Sequence, residues 1–164
     1  MEAAKRLVDR ILEWICVILL ALMTILVTYQ VIVRYVFNSP NAYTESLSKY
    51  MFVWMILYAS AYVFGLREHM NIGFVRDKMP TRFRIAVEMS GELVIALFAS
   101  GVMLYGGFKQ SMAQMIQLDA ALRIPIGIIY SAVPVSAAFI LFYFFYNERK
   151  LLLQLREISQ KGES

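Results

Sequence analysis

The sequence predicts an all-α polytopic membrane protein with four transmembrane helices, both termini in the cytoplasm, and short amphipathic helices at the membrane interface. Three observations predict this fold class. Of the 164 residues, 60% are hydrophobic and only 17% are charged, whereas soluble domains carry about 25% charged residues. Four apolar stretches approach or exceed the length of about 20 residues that a helix needs to cross hydrocarbon. The basic residues are concentrated on one side of these stretches.

The four predicted spans are approximately residues 14–36, 47–66, 85–108 and 124–147, all within one membrane domain of residues 1–164. We expect helices because a lone short chain must satisfy every backbone group inside lipid within its own segment. The sequence lacks the alternating segments of about ten residues that are typical of a transmembrane barrel. The first apolar run is too long for a signal peptide and no cleavage site follows it, so we expect a retained span.

The Lys and Arg residues predict the orientation. Twelve of the 16 lie in the segments 1–13, 67–84 and 147–164, which share one side of the membrane. The other four are Arg34, Lys49, Lys109 and Arg123. Because basic residues accumulate in cytoplasmic segments, this distribution predicts that both termini are cytoplasmic.

Amphipathic segments adjoin the spans. Apolar residues share one helical face at 8–15 and again at 151–158, and we expect both segments to extend the spans along or out of the inner leaflet. Residues 111–122 have a weaker apolar face, and Pro125 follows, which cannot continue a helix with full hydrogen bonding. These residues form either a short interfacial helix or a continuation of the third span.

The sequence lacks the residues that common catalytic and cofactor sites need. A single histidine, His69, cannot form a bis-histidine haem site, and a single cysteine, Cys16, cannot form a disulfide within the chain. No glycine-rich phosphate loop and no basic–aromatic pattern for nucleic acid is present. Membrane lipids are the expected partner of the net charge of +4. We therefore expect no enzymatic activity, no metal, no cofactor and no nucleic-acid partner.

Glu92 is the deepest acidic residue of the third predicted span. An acidic side chain in hydrocarbon is costly unless it is paired or hydrated, so it should face protein. One interpretation is a polar tie to another helix or another subunit. The other is a proton or cation site, which would make the chain an autonomous dimeric proton-coupled exporter.

The loop between the first two spans carries the most distinctive pattern. Pro40 and Asn41 predict a turn, and Thr44 is a candidate cap of the second helix. Arg34 and Lys49 lie at the expected level of the outer headgroups, with Glu45 close to them in sequence. They form either a compact charged cluster or a set of interfacial anchors.

Residues in this loop and beyond it have the spacing of a known family. They are Arg34, Tyr35, Phe37, Asn38, Pro40, Tyr43, Glu45, Leu47, Lys49, Phe52, Val53, Trp54, Ala61, Tyr62, Arg67, Glu68, His69, Met70, Ile72, Met79, Pro80, Ile124, Pro125, Tyr130 and Pro134. With them the chain resembles the small membrane subunit, DctQ-like, of tripartite ATP-independent periplasmic (TRAP) transporters over about residues 10–146. The chain departs from the usual pattern at Ser46, Gly73 and Lys49.

The resemblance implies a subunit without a substrate site of its own, in the bacterial inner membrane. In this family a periplasmic binding protein captures an organic acid, such as sialic acid or a four-carbon dicarboxylate. A large membrane subunit carries it inward on a sodium gradient, so sodium is expected to bind that partner, and the small subunit braces it. The resemblance implies interface or docking roles for Arg34, Tyr35, Phe37, Asn38, Pro40, Tyr43, Glu45 and Lys49. It implies structural roles in the inner loop for Arg67 and His69.

Overall fold

The structure is a computed structural model that describes residues 2–66 and 81–161, with side chains except at 81–84, 86 and 154–161. Its helices are α1 (Glu2–Val36), α2 (Ala42–Leu66), α3 (Thr81–Phe98), a π-helical segment (Ala99–Gly106), α4 (Gly107–Ala113), α5 (Ile126–Tyr130) and α6 (Ala132–Lys161). Within the described residues, four stretches are long and apolar enough to cross a membrane: Glu2–Val36, Ala42–Leu66, Val87–Ala113 and Ile126–Leu153. The predicted all-α fold with four spans is confirmed.

The first and last helices extend well past the predicted spans. The 35 residues of α1 are about 52 Å long at 1.5 Å per residue, compared with about 30 Å for the hydrocarbon core. The predicted amphipathic ends are therefore continuations of α1 and α6. We call the end of the bundle where Glu2 and Lys161 lie the terminal end, and the end that carries residues 37–41 and 114–125 the loop end.

The third and fourth spans each contain one irregular feature. In the third, α3, the π-helical segment and α4 follow one another without a break. In the fourth, α5 is separated from α6 by Ser131. Pro134 lies in the first turn of α6, where its missing N–H does not interrupt the helix, because first-turn amides have no partner inside a helix.

The core lies where α2 and α6 cross, with α1 and the π-helical segment packed against them. Its buried members are Leu12, Tyr58, Ala61, Phe64, Ala99, Ile140 and Tyr143. Gly65 allows a close approach of α2 to α6, because a Cβ there would come within 2.4 Å of Cε1 of Tyr143. The Tyr143 hydroxyl donates a hydrogen bond of 2.5 Å to Oδ1 of Asp9, which ties α6 to α1. The small residue at position 65 thus permits a close contact between two helices of the same chain.

Residues 114–125 form a hydrogen-bonded loop, so the interfacial helix predicted over 111–122 was wrong beyond Ala113. The third span instead continues to Ala113, as the alternative interpretation predicted. Arg123 then adopts a left-handed backbone conformation with φ of 54°, and its N–H donates to the Asp119 carbonyl at 2.9 Å. The weak apolar face of this segment gave no sign that Asp119 would accept hydrogen bonds from the backbone amides that follow it, in place of the bonds of a helix.

Candidate functional site

The loop between α1 and α2 is a tight turn with its own caps. Asn38 has φ of 49°, a left-handed conformation that Asn tolerates better than most residues. Oδ1 of Asn41 accepts the N–H of Tyr43 at 2.9 Å, so Asn41 caps α2. The cap predicted at Thr44 was wrong, because α2 begins at Ala42 and the Thr44 hydroxyl donates backward to the Asn41 carbonyl at 3.0 Å.

Gln30 fastens α1 to α2 beneath this turn. Its Nε2 donates to the Thr44 carbonyl at 2.7 Å and to the Ser48 hydroxyl. Ser48 in turn donates to the same carbonyl at 2.9 Å. Thr44 and Ser48 are both buried. This role of Gln30 was not predicted from the sequence. The sequence did contain a signal for it. Gln30 is an amide near the end of the first apolar span, and Thr44 and Ser48 lie one helical turn apart at the start of the second.

The aromatic residues of this turn that carry the family resemblance point outward. The exposed fraction of the residue is 75% for Tyr35, 69% for Phe37 and 52% for Tyr43. Glu45 and Lys49 form an ion pair of 2.7 Å one helical turn apart, with both side chains more than half exposed. An exposed pair of this kind contributes little to stability. The turn is therefore held together by Asn41, Gln30, Thr44 and Ser48, while the predicted docking residues remain on the surface.

A pocket of about 370 Å³ opens between the end of α1 and the start of α2. Its lining is Val27, Gln30, Val31, Val33, Arg34, Tyr35, Pro40, Asn41, Thr44 and Glu45. The structure thus brings four of the predicted residues together: Arg34, Tyr35, Pro40 and Glu45. Phe37, Asn38, Tyr43 and Lys49 do not line this pocket. It presents a guanidinium, a carboxylate and an aromatic ring on a half-apolar wall, which suits contact with a protein surface.

Asp119 organises the second loop at this end of the bundle. Its Oδ1 accepts the N–H groups of Ala121 at 2.9 Å and Leu122 at 2.7 Å. Its Oδ2 accepts the hydroxyl of Tyr50 on α2. The Tyr50 hydroxyl, followed by these amides, holds the pKa of Asp119 below its usual value, and together they outweigh the opposing effect of desolvation. This role of Asp119 was not predicted from the sequence.

Trp54 anchors the same part of the molecule from the next turn of α2. Its Nε1 donates to the Ile129 carbonyl of α5 at 2.9 Å. Ser111 at the end of the third span donates to the Gly127 carbonyl at 2.6 Å. The loop end is consequently one connected surface, in which the α1–α2 turn and the 114–125 loop are both fastened to α2.

Glu92 lies inside the chain, with 1% of its surface exposed. Its neighbours Ser90 and Leu93 on α3 share a groove with Phe145 and Glu148 on α6, so Glu92 is at the level where these two helices pack. It is covered by its own chain, and a role as an internal polar tie remains a prediction. The inner-loop candidates Arg67 and His69 lie outside the described residues.

The chain is similar to known membrane transport proteins over most of its length. The family model of the DctQ component of tripartite ATP-independent periplasmic transporters matches residues 23–154. A putative TRAP transporter small permease protein of Haemophilus influenzae is 34% identical over 80 residues, which are 49% of this chain and 50% of that protein. The first relative is therefore matched over about half its length.

Two further relatives are matched over nearly their whole length. The sialic acid TRAP transporter small permease protein SiaQ of Vibrio cholerae is 26% identical over 156 residues, 93% of this chain and 90% of that protein. A second putative TRAP small permease of Haemophilus influenzae is 27% identical over 161 residues, 98% of this chain and 94% of that protein. With four membrane-crossing helices of the kind described above, the chain is a multi-pass protein of the bacterial inner membrane. Because the family model spans most of the sequence, the chain belongs to the DctQ family, the small permease component of tripartite ATP-independent periplasmic transporters.

Proposed function

We propose that this chain is the non-catalytic scaffold subunit of a sodium-driven importer of an organic acid. It binds and braces the large membrane subunit, and its loop end faces the periplasm, where the binding protein delivers the substrate. Sodium and substrate bind the partner subunits. The distribution of basic residues supports this orientation, since it puts the terminal end in the cytoplasm.

The observation that carries the proposal is the outward position of the loop residues. Tyr35, Phe37 and Tyr43 are more than half exposed, and Arg34 and Glu45 line an open pocket. The internal hydrogen bonds of the turn use other side chains. Side chains that the fold of the chain does not use are available to a partner, and exposed aromatic and Arg side chains are the ones that most often dominate protein interfaces.

The buried polar side chains support a subunit that does not itself carry a solute. Several of those in the described residues use their hydrogen-bonding capacity within the chain. Ser48 is bonded to α1 and to its own helix, Ser111 to the Gly127 carbonyl, and Ser136 to the Val133 carbonyl.

The alternative of an autonomous dimeric exporter depends on Glu92 being reachable from a second copy. Glu92 is covered by helices of its own chain, with 1% exposure. A site shared between two copies would need an acid on the outer surface of the bundle. Burial of Glu92 therefore favours the scaffold over the exporter.

Sialic acid is one substrate to test, since the Vibrio cholerae relative is named for it. Four-carbon dicarboxylates are the other class. Uptake should be measured with the complete transporter, in the presence and absence of a sodium gradient, because the small subunit alone is expected to transport neither.

The test of the scaffold role compares Arg34→Gln and Glu45→Gln with the control Lys109→Gln, which changes an exposed charge of α4. We expect the first two variants to lower sodium-dependent uptake or co-purification with the partners, and the control to change neither. Normal uptake and normal assembly in both loop variants would exclude this pocket from the mechanism. Uptake by the isolated chain in liposomes would refute the scaffold role itself.

A further inference from the structure

An apolar patch at the loop end is formed by the last turns of the third span and the start of the loop that follows it. Its members are Phe108, Met112, Met115 and Ile116, which are between 38% and 90% exposed. Ile116 is the most exposed of them, at 90%. A contiguous exposed patch of large apolar side chains marks a contact with a partner or with lipid.

The loop cannot turn these side chains inward, because its backbone is fixed by hydrogen bonds. The N–H of Ile126 donates to the Gln117 carbonyl at 2.9 Å, and the N–H of Gly127 donates to the Gln114 carbonyl at 3.1 Å. The carboxylate of Asp119 holds the backbone that follows. The apolar patch is therefore a permanent part of the surface of the chain.

The apolar patch lies at the edge of the hydrocarbon region. The loop that carries it is tied by Asp119 to Tyr50, and Tyr50 follows Lys49 directly, at the start of the uncharged run 50–66 of α2. Trp54, one turn further along α2, is bonded to α5. Tyr and Trp side chains are enriched where hydrocarbon meets the headgroups. The loop is therefore held at this level and does not rise into the water above it.

The apolar patch and the docking pocket lie on opposite edges of the bundle. In the main packing contacts of the described residues, α1 packs on α2, α2 on α6, and α6 on the third span. The docking pocket opens between α1 and α2. The patch instead borders a groove of about 390 Å³ between the third span and α6, whose lining includes Pro134 and Phe139. A partner bound at the docking pocket leaves this second edge to the lipid.

We propose that residues 112–118 are embedded in the membrane leaflet on the side of the loop end and anchor that end of the bundle. Met115 and Ile116 insert among the lipid chains just below the headgroups. The hydrogen bonds within the loop satisfy backbone groups that would otherwise oppose this depth. Because the loop is bonded to α2, the anchor also sets the height of the α1–α2 turn above the bilayer. The anchor does not depend on the scaffold role, and it needs no particular lipid because its contacts are apolar.

The test is electron paramagnetic resonance of a nitroxide attached to single cysteines of the full chain in liposomes. The natural Cys16 is replaced by alanine. The label is then attached at Ile116→Cys, at Leu97→Cys inside the third span, or at Ser39→Cys in the exposed α1–α2 turn. The measured quantity is the accessibility to oxygen, which concentrates in hydrocarbon, divided by the accessibility to a water-soluble nickel chelate. We expect the highest ratio at position 97, the lowest at 39, and a ratio at 116 several-fold above that at 39.

Met112→Cys gives a second position on the apolar patch, one turn nearer to the middle of the span, and keeps the test decisive if the label at 116 disturbs the fold. Its ratio should lie between those at 97 and 116, and the helical circular-dichroism signal should equal that of the Cys16→Ala chain. Ratios at 112 and 116 as low as that at 39 would overturn the proposal. The measurement is then repeated with the assembled transporter. A loss of oxygen accessibility at 116 on assembly, with none at 97, would also overturn it, because a protein surface would then cover the patch.

Discussion

Gly65→Ala tests the close crossing of α2 and α6 on which the core depends. A Cβ at this position would lie 2.4 Å, 2.5 Å and 2.7 Å from three atoms of the Tyr143 ring. Real Cβ atoms essentially never approach other atoms this closely. The ring cannot turn away freely, because Tyr143 is fully buried and its hydroxyl is bonded to Asp9. The helices must therefore separate, or the bond must break.

The expected loss of stability comes from two effects, overpacking of the core and loss of the hydrogen bond between Tyr143 and Asp9. Overpacking a well-packed core typically costs about 1–3 kcal/mol. Loss of a hydrogen bond to a carboxylate adds about 1.5–3 kcal/mol where it breaks completely. Because the helices share the adjustment, we expect a total of about 2–4 kcal/mol. For a chain of this size that is a fall in melting temperature of roughly 5–15 °C.

The assay is thermal unfolding of the purified chain in detergent, followed by circular dichroism. The matched control is Gly101→Ala, because a Cβ at Gly101 meets nothing within 4 Å, and replacing a helical glycine by alanine removes up to about 1 kcal/mol of helix-propensity penalty. We expect the control to be neutral or stabilising. The double variant Gly65→Ala/Tyr143→Leu should destabilise less than the sum of its two single changes. Equal effects of the two alanine substitutions would refute the close-crossing argument.

Three further predictions concern the loop end. Gln30→Ala removes both bonds to α2 and should lower stability by about 1–3 kcal/mol, measured by the same thermal unfolding. Asp119→Ala should abolish the protection of the Ala121 and Leu122 amides in hydrogen exchange, since its carboxylate is their acceptor, while amides inside α2 keep theirs. Because the pKa of Asp119 is lowered in the folded chain, its contribution is complete above the ordinary carboxyl pKa of 3.8 and is lost as the pH falls through the lower folded value. Protection of these amides should therefore be equal at pH 7 and pH 5, relative to intrinsic exchange, and fall below pH 3.8; Asp119→Ala should show no such transition. A loss of protection already at pH 5 would contradict the lowered pKa.

The four spans were predictable because their signal is local. An uninterrupted apolar run of span length has few alternatives to a membrane helix, and α1 and α6 were predicted to continue into their amphipathic ends. The family followed from the spacing of Arg34, Phe37, Asn38 and Pro40 and is confirmed by the family model. Their role in docking remains a prediction.

The loop-end contacts were not predictable because they join residues far apart in the sequence. Tyr50 and Asp119 are 69 positions apart, and Trp54 and Ile129 are 75 apart. Neither pair has a local pattern. The interfacial helix was expected over 111–122 because apolar periodicity was the only signal there, and it does not encode the affinity of a carboxylate for nearby backbone amides.

The π-helical segment Ala99–Gly106 divides the third span into two halves. Hydrogen bonds in a π-helix skip one residue more than those in an α-helix, so the side chains after Gly106 are rotated about the axis relative to an unbroken α-helix. The outward stripe formed by Val94 and Leu97 before the segment is not continued in register by Phe108 and Met112 after it. A straight helix of a neighbouring subunit that packed along this span could therefore contact one stripe through only half of the bilayer. In the other half it would contact a different set of side chains.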